Sequence, residues 1–408
     1  MGKANQRAQS INEECLSRDL VLKKYFPHSL HFILFSDTFA LYFSILSSAM
    51  SRTLMCLLLV LSLLSASCRH HSRRHVTTAF YHWKSTVKLS PYDQDLLDST
   101  HCRKLYVNFF DVIPNDDTAL KYPAVPGSQT QGLGRLPQNA EIVPVVFITN
   151  ESMKKMDSAT IPLMAEKICS KINRYVKWYK LKPIREMQFD CDWTHSTRDR
   201  YFYLLTEIKR RSGVPTISAT IRLYQYKYFT RAGVPPVDRG VLMFYHMNAM
   251  QDVASKELIL DVDEGKKYLT HDKYPLPLDF ALPVFSAMMT TQSTFVSVGG
   301  GRMERSIGFY PPSVFKRLMA DTVLKKVDTA ENLYKTVKDG RVGDLYLWGG
   351  GELVKMETVK IGELRRAADL LSAHANTDTF SVIFFHLDHD VNSIYTTDEI
   401  KDIISRFD

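Results

Sequence analysis

Two carboxylates one residue apart, Asp190 and Asp192, close the strand-like run Met187–Trp193. On a β-strand the side chains at i and i+2 share a face, so both acids point one way while Phe189, Cys191 and Trp193 point the other. Like charges this close raise each other's pKa, and the arrangement is stable where a substrate, a metal or a cation meets them. Paired acids of this kind suit acid–base or nucleophilic work on a bound ligand, which makes Asp190 and Asp192 the candidate catalytic residues. A salt-bridged structural pair is the competing reading.

The elements that must position them alternate along the chain. Strands are expected at 79–83, 104–111, 142–149, 187–193, 216–226, 240–247, 279–285 and 381–387. Ser90-Pro91 opens a helix through Asp98, with proline in the first turn behind a serine cap. Further helices are expected at 160–180, where Met164, Ile168, Ile172 and Val176 recur every four residues, at 197–211, at 359–374 and at 397–407. The Pro/Gly-rich stretch 114–137 reads as a long loop, and 291–351, with its two glycine triplets, reads as loops and helices inserted before the last strand. Strands separated by helical crossovers, with no Asn-Gly hairpin signal, argue for a parallel sheet, and their number for a closed (β/α)8 TIM-like barrel. An open doubly wound sheet is the alternative, but no Gly-x-Gly-x-x-Gly follows an early strand.

In such a barrel chemistry sits at the C-terminal ends of the strands. That rule gathers Trp83, Asp111, Arg222, Gln225, Tyr245, Asn248 and Asp388 around the two acids as candidate substrate-binding residues. Aromatic rings beside carboxylates, amides and a guanidinium fit a sugar, whose apolar faces stack on rings and whose hydroxyls need polar partners. His386, Asp388, His389 and Asp390 read as a charged loop rather than a metal site. The glycine triplets lack the Lys and Ser/Thr of a phosphate loop, so no cofactor or metal is expected.

A 408-residue chain that is 45% hydrophobic and 24% charged is an ordinary globular composition. Its net charge of +8 is spread along the chain with no dense basic run, which argues against a nucleic-acid partner. Between Met50 and Cys68 lie a positive Arg52, an apolar run from Leu54 to Leu64 and the small residues Ser65-Ala66-Ser67. This is the pattern of a secretory signal peptide, too short for a membrane span. Its end resembles a bacterial lipobox, with Ser65 where leucine is usual, and that resemblance implies Cys68 as a diacylated mature N-terminus. The expected organisation is therefore a non-native extension over 1–49, a lipoprotein signal peptide over 50–68, a tether over 69–78 and one barrel domain over 79–408. Cys102, Cys169 and Cys191 form no metal spacing and cannot all pair.

The run Phe189-Asp190-Cys191-Asp192-Trp193 resembles the fourth-strand motif of chitinase-type glycoside hydrolases, Asp-x-x-Asp-x-Asp-x-Glu. The whole layout resembles glycoside-hydrolase-like barrel lipoproteins of Bacteroidetes. Asp190 and Asp192 fill the two middle acidic places, while Met187 stands at the first and Thr194 at the catalytic glutamate. The resemblance implies a lipid-anchored protein of the bacterial cell envelope, facing periplasm or cell exterior, that acts on carbohydrate as a glycoside hydrolase or binds it. The two departures favour the alternative, a non-catalytic glycan-binding or envelope-assembly protein on a degenerate barrel.

The lipobox reading makes a direct prediction. Intact-mass analysis of the membrane fraction should find Cys68 as the lipidated N-terminus, and Cys68→Ala should leave the membrane. Protein sequence upstream of Met50 in the mature product would contradict it.

Overall fold

The computed structural model describes residues 74–115, 124–245, 253–254, 257–271, 273–296, 302–327 and 331–408. The chain divides into two units, 1–71 and 72–408. The second holds the described structure, and Cys68 with its signal segment lies outside the described residues.

Strands β1 (His75–His82), β2 (Lys104–Pro114), β4 (Glu141–Ile148), β5 (Glu186–Asp190), β6 (Thr216–Arg222), β7 (Arg239–Met243), β8 (Leu278–Pro283) and β16 (Thr379–Phe385) form a parallel sheet. Its order runs β1-β16-β8-β7-β6-β5-β4-β2, and β1 pairs back onto β2 to close it. The helices are α1 (Pro91–Ser99), α2 (Asn150–Lys155), α3 (Thr160–Trp178), α4 (Arg198–Ser212), α5 (Leu223–Lys227), α6 (Phe229–Ala232), α7 (Val262–Lys266), α8 (Pro312–Ala320), α9 (Ile361–Ala373), α10 (His389–Asn392) and α11 (Thr397–Ser405). The (β/α)8 expectation holds.

Local chemistry explains the crossovers. Ser90 caps α1 in a reciprocal capping box with Asp93, ahead of Pro91 in the first turn. Helix α3 buries Met164, Ile168 and Ile172, and α4 buries Tyr201, Leu204, Leu205 and Ile208 before Gly213 stops it at φ +64°. Strand β1 begins at His75, inside the segment expected as tether. Strand β6 ends at Arg222, because residues 223–227 turn into α5 rather than continuing the expected strand.

Two expectations need correction. The stretch 114–137 contains β3 (Ala124–Gln129), antiparallel to the end of β2. The first half of β2 pairs with β1, and its second half outruns β1 and takes β3 instead. The insertion, expected as loops and helices, holds the helix α8 but is built on a five-stranded antiparallel sheet of β9 (Ser286–Val296), β10 (Arg302–Tyr310), β11 (Leu324–Lys326), β12 (Leu333–Thr336) and β15 (Leu353–Thr358). A hairpin of β13 (Gly340–Val342) and β14 (Leu345–Leu347) accompanies it. Its own small core includes Met288, Leu318, Val323, Leu345, Leu347 and Val354. The hairpin signal was present as Gly343-Asp344, whose glycine takes φ +60°, a conformation two-residue turns need. The buried carboxylate of Glu357 at the end of β15 accepts the backbone N–H groups of Leu258 and Ile259, at 3.0 and 2.7 Å, and so ties the insertion to the chain that follows β7.

Side chains alternate across the barrel wall. Those facing the helices form the large core, and Ala79, Tyr81, Tyr106, Val143, Val241 and Ile383 belong to a separate interior cluster. At the N-terminal end the interior is polar. Glu186 accepts hydrogen bonds from Lys104 (2.5 Å), Tyr106 (3.2 Å) and Ser218 (2.5 Å), and Asp279 accepts from Arg239 (3.0 Å) and the Ser381 amide (2.5 Å). Removing one partner of a buried pair leaves the other charge uncompensated. Lys104→Met should therefore cost about 3–5 kcal/mol in urea unfolding, and adding Glu186→Gln should recover most of the loss. Equal instability of the single and double variants would refute the pairing.

Burial pushes the Asp279 carboxyl up to about 6 from an ordinary 3.8, against the pull of Arg239. The folded value lies above the unfolded one, so the penalty for the buried charge is complete above about pH 6 and is relieved as pH falls towards 3.8. The difference of about 2 corresponds to about 3 kcal/mol. Stability curves against pH should show the wild type gaining on Asp279→Asn by up to that amount on acidification. A difference independent of pH would contradict the buried charge.

Candidate functional site

The C-terminal mouth of the barrel holds a cleft of about 210 Å³. Four contiguous rings make most of its apolar side. Tyr81, near the end of β1, lies 5.9 Å centroid to centroid from Trp83, edge to face, and 5.8 Å from Phe385 at the end of β16. Tyr245, two residues past β7, stacks on Phe385 at 5.4 Å, and Trp83 lies 5.9 Å from the same ring. The Tyr81 hydroxyl donates to the Gln188 side chain at 2.7 Å, which fixes the ring from below. Phe147 and Met243 complete the apolar lining.

The polar side comes from β5 and β6. Asp190 is the last residue of β5 and Asp192 follows it two residues on, while Phe189, Cys191 and Trp193 are buried in the helix-side core. The two acids share a face, as the alternation requires. Asp190 is 3% exposed and accepts a 2.5 Å hydrogen bond from Thr220. Asp192, half exposed, is held by Arg222 at the end of β6 in a two-pronged pair, Nε to Oδ1 at 2.5 Å and a terminal nitrogen to Oδ2 at 3.3 Å. Parallel β5 and β6 set Asp190 and Asp192 beside Thr220 and Arg222, two matched pairs in succession.

Electrostatics separate the two acids. Burial holds the Asp190 carboxyl above its usual range, Arg222 and Thr220 act against it, and Asp192 and Asp111 add to it. Burial also works against the Arg222 charge, but the carboxylates of Asp190 and Asp192 more than offset it. Burial raises the Tyr245 hydroxyl as well, so it stays protonated and able to donate.

Asp111 reaches this field through an irregularity. The register of β2 slips between Asn108 and Phe110, and the extra residue returns Asp111 to the side of Asn108, whose amide donates to it at 3.2 Å. Asp190, Asp192, Trp83, Arg222 and Tyr245 thus come together, with Asp111 nearby.

Two expected substrate-binding residues do other work. Gln225 sits on α5, fully buried, accepts the Arg222 amide at 2.8 Å and donates to the Trp193 carbonyl at 3.3 Å. It braces the turn that aims Arg222. Asp388 is 6% exposed and paired with Lys84 at 2.5 Å, and it does not line the cleft. Asn248 lies outside the described residues. Tyr81, Thr220 and Met243 were missed, although each stands two residues before a chosen neighbour, Trp83, Arg222 or Tyr245, and so on the same strand face.

Thr194, at the place of the resembled motif's glutamate, is exposed and within 3.0 Å of the Ser196 hydroxyl in the turn leading to α4. Met187 is fully buried on the helix side. Among the described residues no group of three or more His, Cys, Asp or Glu side chains is placed to hold a metal ion. A larger cavity of about 310 Å³ lies between α1 and the chain before β4, lined by Leu97, Cys102, Leu105, Arg135 and Asn139. It adjoins the start of β2, the end of a barrel where residues serve stability rather than chemistry.

No protein-family model and no curated protein matches the chain. Among solved structures it is similar to the spore cortex-lytic enzyme SleL of Bacillus cereus, at 14% identity and TM-score 0.47, covering 83% of this chain and 75% of that one. A chitinase from Chromobacterium violaceum aligns at 9% identity and TM-score 0.48, covering 81% and 99%. A chitinase from Bacteroides thetaiotaomicron aligns at 12% identity and TM-score 0.45, covering 81% and 95%. Likenesses this distant say nothing about chemistry, and the cleft has to be read from its own residues.

Proposed function

We propose that this protein is a carbohydrate-binding barrel of the bacterial cell envelope, anchored by lipid on Cys68, with the C-terminal cleft as its sugar site. The observation that carries the reading is the facing of two surfaces in one cleft: the rings of Tyr81, Trp83, Tyr245 and Phe385 against the polar edge of Asp190, Asp192, Thr220 and Arg222. Sugars present both an apolar face and a fringe of hydroxyls, and such a cleft meets both. Its volume of about 210 Å³ lies below the ~300–1,000 Å³ of drug-sized sites and suits a single sugar ring held at the end of a chain.

Binding without hydrolysis is favoured by two features. Asp192 is neutralised by Arg222, and the residue at the resembled motif's proton donor is Thr194, a hydroxyl without acid strength. One observation supports hydrolysis as a second reading: Asp190, with its carboxyl raised by burial, has the character of a general acid.

Glycan-array binding followed by calorimetry tests both. The wild type should bind saccharides, and Trp83→Ala should weaken the best ligand by ~10-fold, roughly 1.4 kcal/mol. Asp192→Asn should also lose affinity while its melting changes little, since a half-exposed ion pair contributes about 0–1 kcal/mol. Turnover of chromogenic glycosides that disappears in Asp190→Asn would replace binding by hydrolysis. Failure to bind any glycan would end the sugar-site reading in favour of envelope assembly.

A further inference from the structure

The charges lining the cleft do not balance. Arg222 pairs directly with Asp192 and acts on Asp190 only through space, so the two acids share one cation, and the hydrogen bond that Asp190 accepts comes from the neutral Thr220 hydroxyl. Among the described lining residues there is one cation, Arg222, against two acids, with no lysine or histidine. Asp111 adds a further negative charge from β2. A buried carboxylate in excess is stabilised by a cation brought close to it. The opposite wall is built of the groups that favour the same visitor. Tyr81, Trp83, Tyr245 and Phe385 present ring faces and edges, and the negative face of an aromatic ring attracts an ammonium group while the ring body stacks on sugar C–H bonds.

We infer that the cleft selects amino sugars, saccharide units bearing a free ammonium group, over their N-acetylated, neutral or acidic counterparts. The inference rests on the carbohydrate reading above and narrows it to a charge class. An ammonium placed between Asp190 and the half-exposed Asp192 supplies the missing cation. An N-acetyl group offers a neutral amide that leaves the excess charge in place, and a uronic acid brings a like charge towards it. The raised Asp190 carboxyl fits this account, because burial and the neighbouring Asp192 and Asp111 are what a bound cation would offset.

The test is calorimetry on the full-length chain with three probes: the glucosamine trisaccharide, its fully N-acetylated form and cellotriose. The measurements are made in near-neutral buffer, because acidification protonates the raised Asp190 carboxyl and removes the charge under test. The glucosamine trisaccharide should bind at least ~10-fold more tightly than either counterpart, and high salt should shrink the advantage. Asp190→Asn should bring the three affinities within ~3-fold of one another, a loss of about 0.7 kcal/mol or more in selectivity. Because that residue is buried, Asp192→Asn provides a second variant at an exposed position: it frees Arg222 and should erode the preference in the same direction. Trp83→Ala should weaken all three probes together. Equal or tighter binding of the N-acetylated trisaccharide or cellotriose, insensitive to salt, overturns the amino-sugar inference and leaves the sugar site standing. Silence towards all three probes and the wider glycan array overturns both.

Discussion

The inward face of β5 is the constraint on which the barrel depends. Glu186, then Gln188, Asp190 and Asp192 follow one another at intervals of two, so the pleat sends all of them to the interior or its mouth. A stripe of acids inside a barrel is unstable unless each member is met, because an unpaired buried charge costs several kcal/mol. Here each acid is met from the neighbouring β6. Ser218, Thr220 and Arg222 on β6 answer Glu186, Asp190 and Asp192 in order, and Tyr81 from across the barrel answers Gln188. A slip of one residue between β5 and β6 would strand every partner at once, so the register is fixed by polarity as well as by packing.

The same stripe grades from structure to chemistry along the barrel axis. At its N-terminal end Glu186 is saturated by Lys104, Tyr106 and Ser218. Midway, Gln188 carries no charge. At the mouth the compensation thins: Asp190 has a hydroxyl partner, and Asp192 has a guanidinium but stands half in solvent. The proposed sugar site lies where the protein's own satisfaction of the stripe runs short. The aromatic half of the cleft depends on the stripe too, since Gln188 holds Tyr81, whose ring is the junction between Trp83 and Phe385.

Much of this was legible in the sequence because it is written in periods of two. The Asp-x-Asp spacing, the buried face of Phe189, Cys191 and Trp193, and the eight parallel strands all follow from alternation and from apolar runs between helical segments. What escaped depends on pairing across distance. Gln225 looked like a strand-end ligand because nothing local shows that β6 stops at Arg222, and the stop follows from α5 folding back to cap the Arg222 amide. Asp388 looked free until Lys84 from the other end of the chain reached it. The antiparallel insertion was misread because its turns do not carry the commonest hairpin dipeptide, although Gly343-Asp344 satisfies the same demand for positive φ.

The placement of Thr194 sets it apart from the two acids before it. The residue lies beyond the strand, in the turn that leads into α4, where the Thr194 amide donates to the Thr197 hydroxyl at 3.0 Å. Nothing in the strand ladder uses its side chain, so this position accepts a hydroxyl where the resembled motif has a carboxyl without disturbing β5. Asp190 and Asp192 have no such freedom, because Thr220 and Arg222 are oriented by them. Arg222 in turn has its own amide fixed by Gln225, so the guanidinium that neutralises Asp192 is as firmly built in as the acids themselves. The Asp190–Thr220 and Asp192–Arg222 contacts are thus tied to the part that closes the barrel, while Thr194 hangs on a surface turn. Under the proposed function, a site built this way keeps binding under changes that remove hydrolysis, with Asp192 and Arg222 in the fixed part and Thr194 in the variable one.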